Sequence, residues 1–403
     1  MKVALAGYGS RGDIEPLAAV GRELLRRGHE VCMAVPPNMF GFVESAGLTA
    51  VAFGSAPPQP GDGDFAPSNA IKNPTDLVAE VVGHVTRAWA EWGTALTELA
   101  DGAHLLVTGK VEHGLAANVA EYYGIPSATL QYFPEGDSPL EGLIGHVAQD
   151  AQEAQRRVLG LPERTVPSTQ PTLEIQAYDD VCFPGLAAEW SQQARERRFR
   201  PFVGALTLEL PGDADDETLS WIAAGAPPVY FGFGSMPIPS PAETVAVISA
   251  ACAQLGERAL ICSGPNDFSH VPHFDNVRVA RAVNHSAVLP ACRAVVHHGG
   301  CGTTAAAMRA AVPTLILWHQ VDDQPIWGAA VTELKVGFGR AFSASTLDSL
   351  VADLRLILAP EYVTRARDVA ARMTPPAESI ARCADLLEEA VRLRGNSFAN
   401  GIG

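Results

Sequence analysis

The chain has 403 residues, with 45 acidic against 29 basic side chains, a formal net charge of −16, and 47% hydrophobic content. That balance argues against nucleic acid or an anionic membrane as the main partner, and the apolar content is ample for two domains of about 100–200 residues each. Seven cysteines (Cys32, Cys182, Cys252, Cys262, Cys292, Cys301, Cys383) are scattered with no Cys-x-x-Cys. This pattern suits reduced thiols in a cytoplasmic protein better than a disulfide or zinc framework. Met1-Lys2 leads straight into a short apolar run and a glycine turn, so no signal peptide is expected. The run Thr303–Trp318 is interrupted by Arg309 and Pro313 and is too short to cross a bilayer.

Short apolar runs alternate with amphipathic stretches, which predicts an α/β protein with parallel sheets. Val3–Ala6 reads as a first strand and Glu15–Arg27 as a helix, with Pro16 in its first turn and Leu17, Val20, Leu24 and Leu25 on one face. Glu30–Val35 is a second strand. Residues 55–75 form a long loop rich in Pro, Gly and Asp, and residues 76–100 are helical. Leu105–Thr108 and Pro126–Gln131 are further strands, the latter entering the aromatic loop Tyr132-Phe133-Pro134. The acidic, turn-rich stretch 210–217 predicts a linker between domains 1–209 and 218–375. The pattern then restarts: Pro228–Phe233, Ala259–Ser263, Val277–Ala280, Ala294–His297 and Leu315–Trp318 read as strands. Pro376–Leu393 is an amphipathic helix within a last segment, 376–403, whose end at 395–403 is expected to fray.

The motifs lie where strands meet helices. Gly7-Tyr8-Gly9-Ser10-Arg11-Gly12 has Gly-x-Gly-x-x-Gly spacing, but a dinucleotide site also wants an acid at the end of strand two. That strand ends Ala34-Val35-Pro36-Pro37, without one. The turn reads instead as the edge of an active site, with Ser10 and Arg11 as donors. Asp13 beside it is either a helix cap or a catalytic carboxylate, and the residues alone leave both open. Phe233-Gly234-Ser235-Met236 repeats the device. His297-His298-Gly299-Gly300-Cys301-Gly302-Thr303-Thr304 reads as strand end, glycine turn and helix start, which aims N–H groups and hydroxyls at an anion such as a phosphate. Adjacent histidines on a strand point to opposite faces, so one packs inside and the other meets the ligand, and no metal site is expected. Asp322-Asp323-Gln324-Pro325 offers carboxylate and amide groups to a polyhydroxyl ligand. The Asp-x-Asp pairs Asp62–Asp64 and Asp213–Asp215 lie in turn-rich stretches and read as solvated. Trp89 and Trp92 read as packing residues.

Together these residues resemble the GT-B glycosyltransferases, in the bacterial branch of vancomycin-type antibiotic and sterol glycosyltransferases. The likeness rests on Gly9-Ser10-Arg11-Gly12-Asp13 with Glu15-Pro16, Phe233-Gly234-Ser235-Met236, His297–Thr304, Ala310–Pro313 and Asp323-Gln324-Pro325, in the family's order over nearly the whole chain. It implies two Rossmann-like domains facing across a cleft, an N-terminal one for the acceptor and a C-terminal one for a nucleotide-sugar donor. It also implies a final helix that returns to the first domain. By the resemblance, Asp13 is the general base. His298, Gly300, Gly302, Thr303 and Ser235 contact the diphosphate, with Ser10 and Arg11 facing them. Asp323 and Gln324 bind the sugar, and Val283 lies near the nucleobase. Tyr132 and Phe133 face a hydrophobic natural-product or lipid acceptor. No cofactor is implied beyond a dTDP- or UDP-sugar used as substrate. The expected activity is inverting, metal-independent transfer of a hexose or deoxyhexose. A catalytically silent partner protein and a nucleotide-sugar epimerase are the alternatives on the same fold. The sequence departs from the family at Cys301, at Ala311 in place of Gly, and at Trp318-His319.

Overall fold

The computed structural model describes residues 1–56, 74–134, 139–163, 172–193, 198–212, 215–238, 240–319 and 323–399. The Asp62–Asp64 pair, nearly all of the expected 55–75 loop and Asp213 lie outside them. The chain forms two compact units. One comprises Met1–Ala177, Leu186–Leu208 and Pro376–Gly403; the other comprises Tyr178–Gly185 and Glu209–Pro375.

The first unit runs β1 (Lys2–Ala6), α1 (Arg11–Arg26), β2 (Glu30–Val35), α2 (Phe40–Ser45), β3 (Thr49–Ala52), α3 (Pro74–Leu99), β4 (Leu105–Gly109), α4 (His113–Tyr123), β5 (Ser127–Gln131), α5 (Pro139–Val158), β6 (Thr172–Gln176), α6 (Pro184–Gln193) and β7 (Arg198–Phe199). All its strands are parallel, in the order β3-β2-β1-β4-β5-β6-β7. The central strands are continuous apolar runs because helices cover both faces: Leu105, Leu106 and Val107 are fully buried. Strand order reverses between β1 and β4, and Ala6 is in register with both Ala34 and Thr108. Ligands of open α/β sheets bind at such a switch point, beyond the C-terminal strand ends.

Helix α1 begins four residues earlier than expected, because Ser10 caps it: the Gly12 N–H donates to Ser10 Oγ, and the Asp13 carboxylate accepts the Ser10 N–H. Pro16 therefore lies inside the helix, where it forfeits one backbone hydrogen bond, to the Gly12 carbonyl. Trp89 and Trp92, both buried, pack around Phe53 and Tyr8.

The second unit runs α7 (Asp215–Ala223), β8 (Val229–Gly232), α8 (Pro241–Leu255), β9 (Ala259–Cys262), β10 (Val277–Ala280), α9 (His285–Val288), β11 (Ala294–His297), α10 (Cys301–Arg309), β12 (Thr314–Trp318), α11 (Asp323–Glu333), β13 (Gly337–Ala341), α12 (Leu347–Ile357) and α13 (Pro360–Ala370). Its parallel sheet has the order β10-β9-β8-β11-β12-β13, with the switch point between β8 and β11. The core beneath it joins Val229, Phe231, Ala259, Ile261, Val296 and Leu315 to α8 and α12. After α10 the chain turns through Ala311, whose φ of +59° lies in the left-handed region.

Two boundaries differ from the sequence reading. Tyr178–Gly185 belongs with the second unit: Tyr178 and Phe183 pack edge-on and tilted against Trp327, and Asp179 accepts the Thr374 N–H at 2.6 Å. The acidic stretch 210–217 is not linker throughout, since Asp215 opens α7 and its buried carboxylate accepts the N–H groups of Gly212 and Asn284. The final helix, α14 (Pro376–Ala399), packs in the first unit against α1. Cys383, Ala384 and Leu387 are fully buried, while Arg27 pairs with Asp385 and Glu388. The helix runs to Ala399, and residues 400–403 of the segment expected to fray lie outside the described residues. Among the described residues no helix is long and apolar enough to cross a membrane.

Candidate active site

In the first unit, the candidate site is built on the turn after β1. Gly9 has φ +135°, and a Cβ there would stand 2.3 Å from Asp13 Oδ2, so only glycine lets the chain pass over this carboxylate. Asp13 Oδ2 accepts the Ser10 N–H at 2.8 Å and the Ser10 hydroxyl at 3.2 Å. Asp13 is thus the third residue of the helix, reaching back to the cap, while Ser10 is the cap itself. Burial of the carboxylate raises its pKa above the ordinary aspartate value, and the Ser10 hydrogen bonds oppose that rise.

The neighbouring expected residues are more committed than the sequence implied. Arg11 is exposed, pairs with Glu15 at 2.7 Å and lies over the Phe42 ring. Tyr132 is buried, and its hydroxyl donates to the Asp13 carbonyl at 3.0 Å, so it fixes the first turn of α1. Phe133, half-buried beneath the Lys110 ammonium, lines a small recess with Gln131, Glu174, Gln176, Trp190 and Arg200. Sequence reasoning missed Glu112. This residue is 1% exposed, follows β4 and accepts the Tyr8 N–H on Oε1 at 2.8 Å. Burial pushes its pKa up to about 8. A lone acid just past a parallel strand was the available signal, although such acids are also common on solvated loops.

In the second unit, the turns after β8 and β11 converge on one histidine. His297 is fully buried, and its Nδ1 accepts the Gly299 N–H at 3.0 Å. His298 is boxed by glycines: a Cβ on Gly234 would stand 2.5 Å from His298 Cε1, and one on Gly300 2.6 Å from His298 Nε2. Burial lowers the pKa of His298 to about 4, while the Gly232 carbonyl nearby favours its protonated form. The ligand-free ring is therefore neutral near pH 7. Ser235 is exposed, and Gly302 and Thr303 are half-exposed, in the first turn of α10. Thr304 instead turns inward, with Oγ1 donating to the Gly300 carbonyl at 2.9 Å.

Gln324 ties this cradle together. Gly299, at φ +99°, packs against Gln324, where an added Cβ would come within 3.1 Å of its Cβ. The amide Oε1 accepts the His319 N–H at 2.8 Å, and Nε2 approaches Met236 Sδ at 3.7 Å. Gln324 is 3% exposed, and half-buried Asp323 opens α11 beside it. The structure thus brings Ser235, His298, Gly300, Thr303, Asp323 and Gln324 to one end of one sheet. Val283, expected at the nucleobase, belongs to the core with Tyr230, Leu260 and Val295, and Arg281 and Ala282 carry the exposed surface there. Among the described residues no group of three His, Cys, Asp or Glu side chains is placed to hold a metal.

Two doubly wound parallel sheets, each with a glycine turn at its switch point, define a GT-B glycosyltransferase fold. Residues 3–89 match the glycosyltransferase family 28 N-terminal domain, and residues 236–386 match the erythromycin biosynthesis protein CIII-like C-terminal domain. An uncharacterized glycosyltransferase of Mycobacterium tuberculosis is 55% identical over 97% of this chain and 99% of its own length. The vancomycin aglycone glucosyltransferase of Amycolatopsis orientalis is 31% identical, covering 97% and 98% respectively. The spinosyn rhamnosyltransferase SpnG, solved with thymidine diphosphate, superposes with a TM-score of 0.69 at 19% identity, over 96% of this chain and 100% of that one. The chain belongs to the GT-B glycosyltransferase family that includes the vancomycin aglycone glucosyltransferase, and it is a glycosyltransferase.

Proposed function

We propose that the enzyme is an inverting, metal-independent transferase. It moves a hexose or deoxyhexose from a nucleoside diphosphate sugar to a hydroxyl of a hydrophobic natural-product or lipid acceptor. The observation that carries this reading is Asp13, a carboxylate fixed at a sheet switch point by its cap hydrogen bonds with its pKa raised by burial. A raised pKa brings a carboxylate closer to the operating pH, where general bases are most effective. Asp13 takes the acceptor hydroxyl's proton as the oxygen attacks the anomeric carbon from the side opposite the diphosphate. The anomeric C–O bond breaks, and its electron pair leaves with the diphosphate. His298 and the N–H groups opening α10 stabilise the charge that gathers there, while Asp323 and Gln324 hold the sugar. Thymidine diphosphate in the SpnG structure supports a dTDP- or UDP-linked donor, and the vancomycin relative supports a bulky aglycone acceptor. Phe133 and Trp190 give the recess in the first unit two aromatic side chains beside Gln131, Gln176 and the Glu174–Arg200 ion pair.

The test begins with a thermal-shift screen of nucleoside diphosphates and their sugars, followed by transfer assays with and without chelator. Asp13→Asn should retain donor binding and lose about 10²–10⁴-fold in kcat. Near-normal turnover would reduce Asp13 to a helix-start residue. Loss of activity with chelator would refute the metal-free reading, and conversion of donor incubated alone would identify an epimerase.

A further inference from the structure

Two carboxyl groups from different elements hold the first glycine turn. Glu112 Oε1 takes the Tyr8 N–H and Asp13 Oδ2 takes the Ser10 N–H, each at 2.8 Å. Those nitrogens are two residues apart and so no more than about 7 Å from each other. Among the described residues neither carboxyl forms an ion pair. The titratable groups facing Glu112 are Tyr8 and Asp13, from the turn and α1, with Tyr132 beyond Gly109. A Cβ on Gly109 would stand 3.0 Å from Glu112 Oε2 and 3.5 Å from Tyr132 Oη, so glycine leaves room for both groups. Lys110 sets its ammonium over Phe133, and His113 follows Glu112 as the first residue of α4.

A buried carboxyl and a half-buried one on the same turn, neither in an ion pair among the described residues, titrate apart, because each charge opposes the other. The donor sets decide which one keeps its proton. Asp13 receives the Ser10 N–H, the Ser10 hydroxyl and its own N–H, whereas Glu112 receives only the Tyr8 N–H and its own. Glu112 is also the more deeply buried residue. We propose that Asp13 and Glu112 act as one carboxyl pair carrying a single negative charge at neutral pH, the proton on Glu112 and the charge on Asp13, which makes Glu112 a positioning residue for the base. The bearing on catalysis rests on the base role proposed for Asp13; the pair itself is a property of the first unit. Burial first, and the Asp13 charge after it, push Glu112 up to about 8, in keeping with that division. A neutral Glu112 clamps the turn without setting a second charge beside the group that must receive a proton.

The deciding experiment is an infrared titration of the full chain. Near pH 7 the wild type should show a carboxylic-acid carbonyl band that Glu112→Gln lacks, and the band should fade with a midpoint near 8. In Asp13→Asn the midpoint should fall by about half a unit or more, because the neighbouring charge is gone. A Glu112→Gln spectrum identical to wild type, or a midpoint unmoved by Asp13→Asn, overturns the pair. If Glu112→Gln does not fold, the Asp13→Asn shift decides alone. A shifting band in a protein whose Asp13→Asn variant still transfers sugar would refute the base role and leave the pair standing.

Discussion

Glu112→Gln should stabilise this protein, and by an amount that grows with pH. The side chain is 1% exposed, and its pKa rises from 4.5 to about 8 on folding. A carboxyl raised in this way favours the folded state fully only below its unfolded pKa, and the benefit is lost as pH climbs through the folded value. At about 1.36 kcal/mol per pKa unit, the cost near pH 7 is about 3 kcal/mol, and it levels near 5 kcal/mol above the folded pKa. Glutamine removes that dependence: its carbonyl can still accept the Tyr8 N–H, and its amide supplies a donor where the acid carries a proton. Equilibrium urea unfolding of wild type and variant at several pH values reads the difference directly. The gain should be under about 1 kcal/mol near pH 5 and about 3 kcal/mol near pH 7. An equal difference at every pH, or a variant uniformly less stable, would show that Glu112 is ionised or solvated in the native state.

Other outcomes follow from the two turns. Gly9→Ala sets a Cβ against Asp13 Oδ2 in a backbone region that disfavours side chains, so unit-one stability should fall by about 1–3 kcal/mol, read as a lower denaturation midpoint. Since His298 sits near 4 when free, a diphosphate beside it should raise that value. Binding should then take up protons, and affinity should rise as pH falls through the bound-state pKa. Calorimetry in buffers of different ionisation enthalpy would detect the uptake, and His298→Gln should abolish it.

The sequence marked both switch points because strand ends, glycine turns and helix starts leave local signatures. Glu30–Val35, Val277–Ala280 and Ala294–His297 have the predicted limits, each a short run rich in Val and Ala. Strands β3, β6, β7 and β13 escaped notice, being short or interrupted by polar residues whose neighbours only the sheet supplies. Pro16 signals a helix start near Glu15, whereas the Ser10–Asp13 box sets the first turn of α1 at Arg11. Within the sites, identity was legible but commitment was not. Nothing local in Tyr132 says that its hydroxyl is bound to the Asp13 carbonyl 119 residues away. Nothing local in Glu112 says that it is buried beneath the first turn, because sheet order brings β4 beside β1.

Ala311 is a point of slack in this scaffold. Its left-handed backbone, at φ +59°, asks a methyl-bearing residue to hold a shape that glycine holds freely. That conformation costs roughly 1–2 kcal/mol for an L-residue, while glycine would return about 0.5–1 kcal/mol through its looser unfolded chain. The position can therefore absorb a stabilising change at the end of α10 remote from the turn at its start. It offers an engineer a reserve with which to offset the costs of redesigning the sugar- and acceptor-facing loops.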